Sequence, residues 1–244
     1  MSSRPDLKLD WCSHAAAKYA VEHWHYSKLC PVGKQARLGV WEDRLFIGVV
    51  LFMPGANNHL VTGYGLTPFE GAELVRVALR HSHLTPTSRI VTIATRLVGR
   101  ANPKLRLLVS YADPSQGHHG GIYQAAGWIY TGAAEGFKQY LLKGKWYHER
   151  TIRRSSAWSS VKGADVSHCP VRILPGKHRY LYPLDAEMKA RILPLAQPYP
   201  KRPKDSSEPA AIHAAEGGAA PTRTLQTLDG PGMFPMLDRM AKVK

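Results

Sequence analysis

Residues 105–132, LRLLVSYADPSQGHHGGIYQAAGWIYTG, decide the architecture. The apolar run around Leu107, Leu108 and Val109 predicts a buried strand, and Asp113-Pro114 ends it, because proline has no N–H to give a ladder. A polar turn carrying His118, His119, Gly120 and Gly121 follows. Gly121 to Ala126 then predicts a short helix and Trp128 to Thr131 the next strand. A carboxylate, two histidines and a tyrosine therefore crowd one strand-to-helix crossing, the kind of place where α/β sheets bind ligands.

Upstream, Thr87 or Ser88 is expected to cap a helix running to about Ala101. Ile90, Ala94, Leu97, Val98 and Ala101 share one face of it, while Arg89, Arg96 and Arg100 line the other. Glu73 to Leu79 suits a central strand, and Ala36–Trp41 with Leu45–Met53 predict a hairpin joined by Glu42-Asp43-Arg44. His14 to Trp24 predicts a first helix with Ser13 as N-cap. It runs into a cluster, His23-Trp24-His25-Tyr26-Ser27-Lys28, just before a loop.

Downstream, Phe137 to Leu142 and Trp146 to Ile152 predict a second hairpin around Lys143-Gly144-Lys145, and Leu184 to Leu193 a small helix. From Lys138 to Arg179 ten Lys/Arg stand against two acids, with Tyr140, Trp146, Tyr147 and Trp158 between them. Positive charge interleaved with aromatic rings suits a surface that grips phosphates and stacks on bases. Lys143, Lys145, Arg150, Arg153 and Arg154 are candidate phosphate contacts there, with Arg89, Arg96 and Arg100 on the long helix. Beyond Pro198 the chain is rich in Pro, Gly, Ala and Ser without periodicity and is expected to be a disordered tail.

The whole chain has 244 residues and 33 Lys/Arg against 18 Asp/Glu, a net charge of +15. After residue 194 there are seven basic residues against five acidic, so the excess lies before the tail. A polyanion is the expected partner, nucleic acid first. Cys12, Cys30 and Cys169 are too few and too scattered for a disulfide framework or a thiolate zinc site, and are read as reduced in a cytoplasmic compartment. The first residues lack the apolar stretch of a signal peptide. The longest apolar run, Leu45 to Met53, is too short to span a bilayer as a helix, so no membrane role is expected.

The order helix, hairpin, strand, helix, strand, helix, strand, hairpin predicts an α/β fold. Its central sheet is mixed, mostly antiparallel, with helices on both faces. This order resembles the GNAT acyltransferase fold, and in that family a glycine-rich turn holds the donor's pyrophosphate at a helix N-terminus. Here Arg80-His81-Ser82-His83-Leu84-Thr85-Pro86 stands at the equivalent place, without an R-x-x-G-x-G pattern.

A narrower resemblance covers roughly residues 10 to 200. His25-Tyr26-Ser27-Lys28, the strand from Glu73 to Leu79, Ala112-Asp113-Pro114 and Gly120-Gly121-Ile122-Tyr123-Gln124-Ala125 look like the phage Mom DNA-modification proteins, a divergent GNAT-like family. The resemblance implies conversion of adenine in double-stranded phage DNA to N6-(carbamoylmethyl)adenine, which protects it from restriction, by a phage or prophage protein in the host cytoplasm, with tRNA as a second expected partner. It also implies iron, with His25, Tyr26, Asp113 and Tyr123 at the positions of the functional residues and of the metal ligands. His118, His119, Gly120 and Gly121 then belong to cofactor binding. In this reading residues 1–160 form the GNAT-like catalytic domain, 161–197 a basic extension packed on it, and 198–244 the tail.

The chemistry makes its own demands. The adenine N6 lone pair is delocalised into the ring, so a base must take a proton as the new bond forms. Asp113, at a strand end, is expected to be that base or to orient the amine, and Tyr123 to protonate the leaving group. His25 and Tyr26 close the acceptor side, stack on a flipped base, or complete a metal site. The group donor is acetyl coenzyme A by the fold resemblance, or glycyl-tRNA, because a carbamoylmethyl group has the atoms of a glycine unit. Tyr111-Ala112-Asp113-Pro114 touches the pattern of adenine amino-methyltransferases, but Ser115-Gln116 replaces its second proline and aromatic. The alternative from another class is a non-catalytic, basic nucleic-acid-binding protein.

Overall fold

A computed structural model describes residues 4–55, 59–154, 161 and 163–201. In chain order it contains β1 (Leu7–Trp11), α1 (His14–Trp24), β2 (Ala36–Glu42), β3 (Leu45–Met53), β4 (Gly71–Leu79), α2 (Thr87–Ala101), β5 (Leu107–Ala112), α3 (Gly121–Ala125), β6 (Ile129–Ala133), β7 (Phe137–Leu142), β8 (Lys145–His148), α4 (Glu149–Arg154), β9 (Val171–Leu174), β10 (His178–Pro183) and α5 (Ala186–Ile192). Seven strands form the main sheet in the order β1-β2-β3-β4-β5-β10-β6, and β8-β7-β9 form a small second sheet. Only β4 and β5 run parallel; the other pairs are antiparallel. The expected fold class is the one observed.

Alternation sorts the side chains of the main sheet onto two faces. Val50, Phe52, Ala72, Leu74 and Leu108 pack under α2 through Ile90, Val91, Ala94 and Val98, with Tyr123 and Trp128. On the other face, Val49, Leu51 and Ala78 meet Ala17, Ala20 and Val21 of α1. Farther along that face, Leu107, Val109 and Leu181 meet Met188 and Ile192 of α5. The face is thus covered by two helices in two separate patches.

Most local expectations are met. Ser13 caps α1, its side chain accepting from Ala16 N at 3.2 Å. The β2–β3 connection is a two-residue turn with positive φ at Asp43 and Arg44, and Lys143-Gly144 repeats that form between β7 and β8. Two expectations change. The cap position of α2 is Pro86, which has no side-chain acceptor, and the Thr87 hydroxyl instead lies 3.1 Å from the His83 ring. The second arm of the later hairpin stops at His148, whose Nδ1 accepts from Arg150 N at 2.9 Å and turns the chain into α4.

The sequence reading did not anticipate β1, β9 or β10. The last matters most, because β10 lies between β5 and β6, with Tyr180 and Leu181 fully buried. Each such side chain contributes about 2 kcal/mol of burial. The main sheet therefore takes its strand from residues 178–183, beyond position 160, where the catalytic domain was expected to end. Residues 196–199 run along β6, with Gln197 N bonded to Tyr130 O and Tyr199 Oη to Trp128 O. The tail from residue 202 onward lies outside the described residues.

Candidate active site

β4 and β5 pair only from Gly71–Leu107 to Leu74–Ser110. Just past Leu74 the register of β4 against β3 slips by one residue, so that Leu74 faces Phe52 and Arg76 faces Leu51. This bulge turns β4 away with β3, while β5 continues with β10. The sheet opens into a gap whose apex is Ser110. The Ser110 hydroxyl donates to Leu74 O at 2.9 Å and lies 2.8 Å from the Tyr123 hydroxyl. Tyr123 reaches this point from α3, on the α2 face. Burial pushes its phenol up to about 12, so it stays protonated at neutral pH.

Glu73 enters from the other face, between the α1 and α5 patches, as the register partner of Val109. Burial pushes its carboxyl up to about 7, against the opposing charges of Lys177 and Arg76. Arg76 Nη1 donates to Val75 O at 2.7 Å, and its buried Nε has no partner among the described residues. The end of α1 sets His25 over this half of β4, with its N–H bonded to Val21 O at 3.2 Å. Burial, then the charges of Arg76, His118 and Lys28, push His25 down to about 3, so its ring is neutral. Because Ser27 N donates to Nδ1 at 3.1 Å, the ring proton sits on Nε2, which is a donor.

Tyr26 joins this end of α1 to the β5–α3 turn, its ring 4.2 Å from that of His25 and 5.4 Å from that of His118. The His118 backbone N–H bonds to the Asp113 backbone carbonyl, and the Asp113 charge acts on the His118 ring, so the ring row ends near the strand-end carboxylate. Asp113 Oδ1 accepts from Ser115 N and Ser115 Oγ at 3.0 and 2.6 Å, and Oδ2 faces Lys177 Nζ at 3.4 Å. The carboxylate thus organises its own turn as well as facing the gap. Gly120 stands at φ 81°, and a Cβ there would meet the Tyr180 ring at 2.3 Å. The Tyr180 hydroxyl in turn donates to His119 O at 2.6 Å, which locks the turn against β10.

Tyr26 thus links His25 to the turn that carries Asp113, while Tyr123 reaches the gap from the other face, and the four expected residues do not gather as an iron site. Nδ1 of His25 is taken by Ser27, and the Asp113 carboxylate is engaged by Ser115 and Lys177. Among the described residues no group of three or more His, Cys, Asp or Glu gathers to hold a metal ion.

A second turn, from β4 into α2, stands where the resemblance places a pyrophosphate loop. Two of its backbone amides are already bound. Glu42, at the end of β2 and 6 % exposed, accepts from Leu84 N at 2.9 Å and from Thr85 N at 2.6 Å. Burial would raise its carboxyl, but the bonds from Thr85 and Leu84 outweigh burial and hold it below the usual range.

The expected phosphate contacts fall into two groups. Arg89, Arg96 and Arg100 are exposed on α2, and Arg100 borders a groove with Leu9, Asp10 and Trp11 at the β1 edge. Lys143 and Lys145 flank the β7–β8 turn, and Arg150 and Arg153 lie on α4, where Arg153 pairs with Glu149 at 2.8 Å. The side chain of Arg154 lies outside the described residues. Glu73, Arg76, Ser110, Lys177 and Glu42 were not expected. The one signal for the first two was an acid and an arginine inside the otherwise apolar strand ELVRVAL. No helix among the described residues is long and apolar enough to cross a membrane.

Comparison with known proteins gives a sequence match and a looser structural one. The model of the Mom protein family matches residues 6–201. The methylcarbamoylase mom of Escherichia phage Mu is 25 % identical over 215 residues, covering 80 % of this chain and 84 % of its own. A structure from Acinetobacter baylyi ADP1, proposed to be an acetyltransferase, is similar at a TM-score of 0.44 and 9 % identity, over 76 % of this chain and 96 % of the other. Spermidine N-acetyltransferase from Vibrio cholerae, solved with CoA and spermine, is similar at a TM-score of 0.41 and 8 % identity, over 73 % and 95 %.

Proposed function

The chain belongs to the Mom protein family, and from that premise we propose that it is a transferase that places a carbamoylmethyl group on the N6 amine of adenine in DNA. The methylcarbamoylase name of the phage Mu relative supports the group transferred. The observation that carries the reading is the gap between β4 and β5, which Glu73 and Tyr123 approach from opposite faces.

That arrangement divides the work of the reaction. The acceptor adenine enters on the α1 face, where Tyr26, half exposed, offers a ring to stack on and the His25 Nε2–H a hydrogen bond. Extruding the base costs roughly a few kcal/mol. Glu73, with its proton affinity near neutral, takes the N6 proton as nitrogen attacks the donor's carbonyl carbon and the bond from that carbon to the carrier breaks. With a glycyl donor this gives N6-glycyladenine, which becomes its isomer N6-(carbamoylmethyl)adenine when the glycyl amine displaces the acylated nitrogen at C6. Asp113 orients the amine from the strand end, and Tyr123 gives its proton to the departing group. Arg76, with a free buried Nε, faces the negative charge that develops between them.

The donor has two readings. Acetyl coenzyme A, which the fold resemblance implies, is one, but acyl transfer from it gives N6-acetyladenine, and a carbamoylmethyl product would need a nitrogen source and a two-electron oxidant besides. Glycyl-tRNA is the other, favoured by one observation: the Leu84 and Thr85 amides that would take a pyrophosphate already hold Glu42. A purified system supplied with one donor at a time separates them.

The test of the function is mass analysis of nucleosides from a plasmid co-expressed with the protein. A modified adenine is the expected result, lost in Glu73→Gln and Tyr123→Phe while DNA is still retained at low salt. An unmodified adenine pool in cells that hold the folded protein overturns the reading.

A further inference from the structure

The small sheet has no part in the gap itself. Its register sorts its side chains into two unlike faces. On one, Phe137 stacks on His148 with ring centres 4.5 Å apart, Arg172 bonds Gln139 at 2.9 Å, and the Arg172 guanidinium lies over Trp146 at 4.4 Å. These residues satisfy one another. On the opposite face, Tyr140 of the central strand pairs with Tyr147 on β8 and with Val171 on β9, and Lys138 pairs with Ile173. Lys145, two residues before Tyr147, shares this face by alternation. Val171 and Ile173 are 54 % and 71 % exposed, and Lys138 and Lys145 are exposed as well. The first face is internally satisfied; on the second Tyr140 and Tyr147 are half-buried, with the exposed Lys138, Lys145, Val171 and Ile173 around them.

The small sheet adjoins the candidate active site. The chain leaves the main sheet after β6 and returns to it before β10 through two segments that run side by side. There Ala134 N bonds Lys177 O at 3.0 Å, and Gly176 lies so close to the Ala134 carbonyl that a Cβ would overlap it. Lys177 in turn faces Asp113, and its charge reaches His148 on β8. The small sheet therefore projects from the end of the main sheet where the gap opens.

We propose that the face carrying Lys138, Tyr140, Lys145, Tyr147, Val171 and Ile173 is a platform for single-stranded DNA, holding the stretch beside the adenine once the duplex has opened. Lysines at the margin meet the backbone phosphates, and the tyrosine pair in the middle row offers rings to the bases, with Val171 and Ile173 extending the apolar strip. Charge complementarity selects this occupant: the chain carries a net +15, and among the described residues the charges on this face, Lys138 and Lys145, are positive. Stacking on a ring is indifferent to base identity, so the platform serves any sequence around the target. The proposal rests on DNA as the acceptor.

The test uses the full chain and a labelled oligothymidylate, which has no adenine for the gap. Fluorescence anisotropy is expected to show binding that weakens steeply with salt. Tyr140→Leu with Tyr147→Leu, which keeps apolar bulk in the sheet, is expected to weaken it at least tenfold, with less than a twofold change for a duplex of the same length. Thermal denaturation confirms that the variant is folded, and Lys138→Glu with Lys145→Glu gives a second, independent loss. Unchanged single-strand affinity in both variants overturns the platform. So does a concentration-dependent dimer that Ile173→Glu dissociates without affecting the oligonucleotide, since the face would then be a self-association surface. Adenine modification in cells together with unchanged oligothymidylate affinity removes the platform and leaves the function. Loss of oligothymidylate affinity in a protein that modifies no adenine removes the function and leaves the platform.

Discussion

Two crossings carry the chain from the central sheet into helices, β4 into α2 and β5 into α3, and they are built in opposite ways. At the first, a long helix is fixed by five buried residues, and the amides of its entry turn are closed by Glu42 from inside the protein. At the second, the helix has five residues, and its entry turn spends its side chains on the gap: Asp113 toward Lys177, His118 toward Tyr26. A crossing whose polar groups are internally matched is scaffold. One whose groups face an opening in the sheet is free to meet a substrate. The same topology therefore supports an anchor at one strand and chemistry at the next.

The comparison breaks most sharply at Glu73 and Tyr123, which flank the second crossing. Glu73→Gln and Tyr123→Phe are each expected to lower the modification rate on the order of 10²–10⁴-fold, the usual worth of a positioned base or acid. Glu73 binds its proton more tightly folded than unfolded, so it favours the folded state at low pH, and that contribution is lost as pH rises from its ordinary value of 4.5 through about 7. Activity has the opposite dependence, rising with pH through about 7 as the carboxylate forms. Rates measured from pH 5.5 to 8.5 check this limb, which Glu73→Gln should lack.

The first crossing predicts a stability effect instead. Glu42→Ala leaves two amides without their acceptor and is expected to cost about 1–3 kcal/mol, read by denaturant titration. Per folded molecule, the rate with a donor that has no pyrophosphate should be unchanged. Glu42 is held below its ordinary pKa, so its contribution is present above about pH 4.5 and fades as pH falls through the folded value. A loss of rate in folded Glu42→Ala equal to that in Glu73→Gln would erase the distinction between the crossings.

How much of this was legible beforehand follows from what each residue's role depends on. Asp113, Gly120 and Tyr123 were readable because strand, proline, glycine and helix are local signals in one continuous stretch. α1, the β2–β3 hairpin and α2 carried equally local patterns. β10 was hidden because its HRYLYP lies in a basic stretch, where the reading followed charge and passed over the alternating Tyr180 and Tyr182. Glu73 was quoted only as part of a strand, since its exposure to a gap depends on where β4 stops pairing with β5, a property of register and not of composition. Glu42 looked like a turn residue, and its true partners are more than forty positions away.

The smallest expected effect sharpens the comparison from within the second crossing. Lys177 is about half exposed and meets Asp113 at 3.4 Å, so the pair itself contributes about 0–1 kcal/mol. Lys177→Met should therefore leave the melting temperature nearly unchanged. Its charge also acts on Glu73, where it is the first of two cations that oppose the effect of burial. Removing it weakens that opposition and raises the affinity of Glu73 for its proton. The activity limb should then move to higher pH, with the rate lowered near neutrality and restored on the alkaline plateau. A uniform loss at every pH would assign Lys177 to substrate binding instead. An unmoved limb would mean that the group titrating near pH 7 is not Glu73, and the base would have to be sought at Asp113.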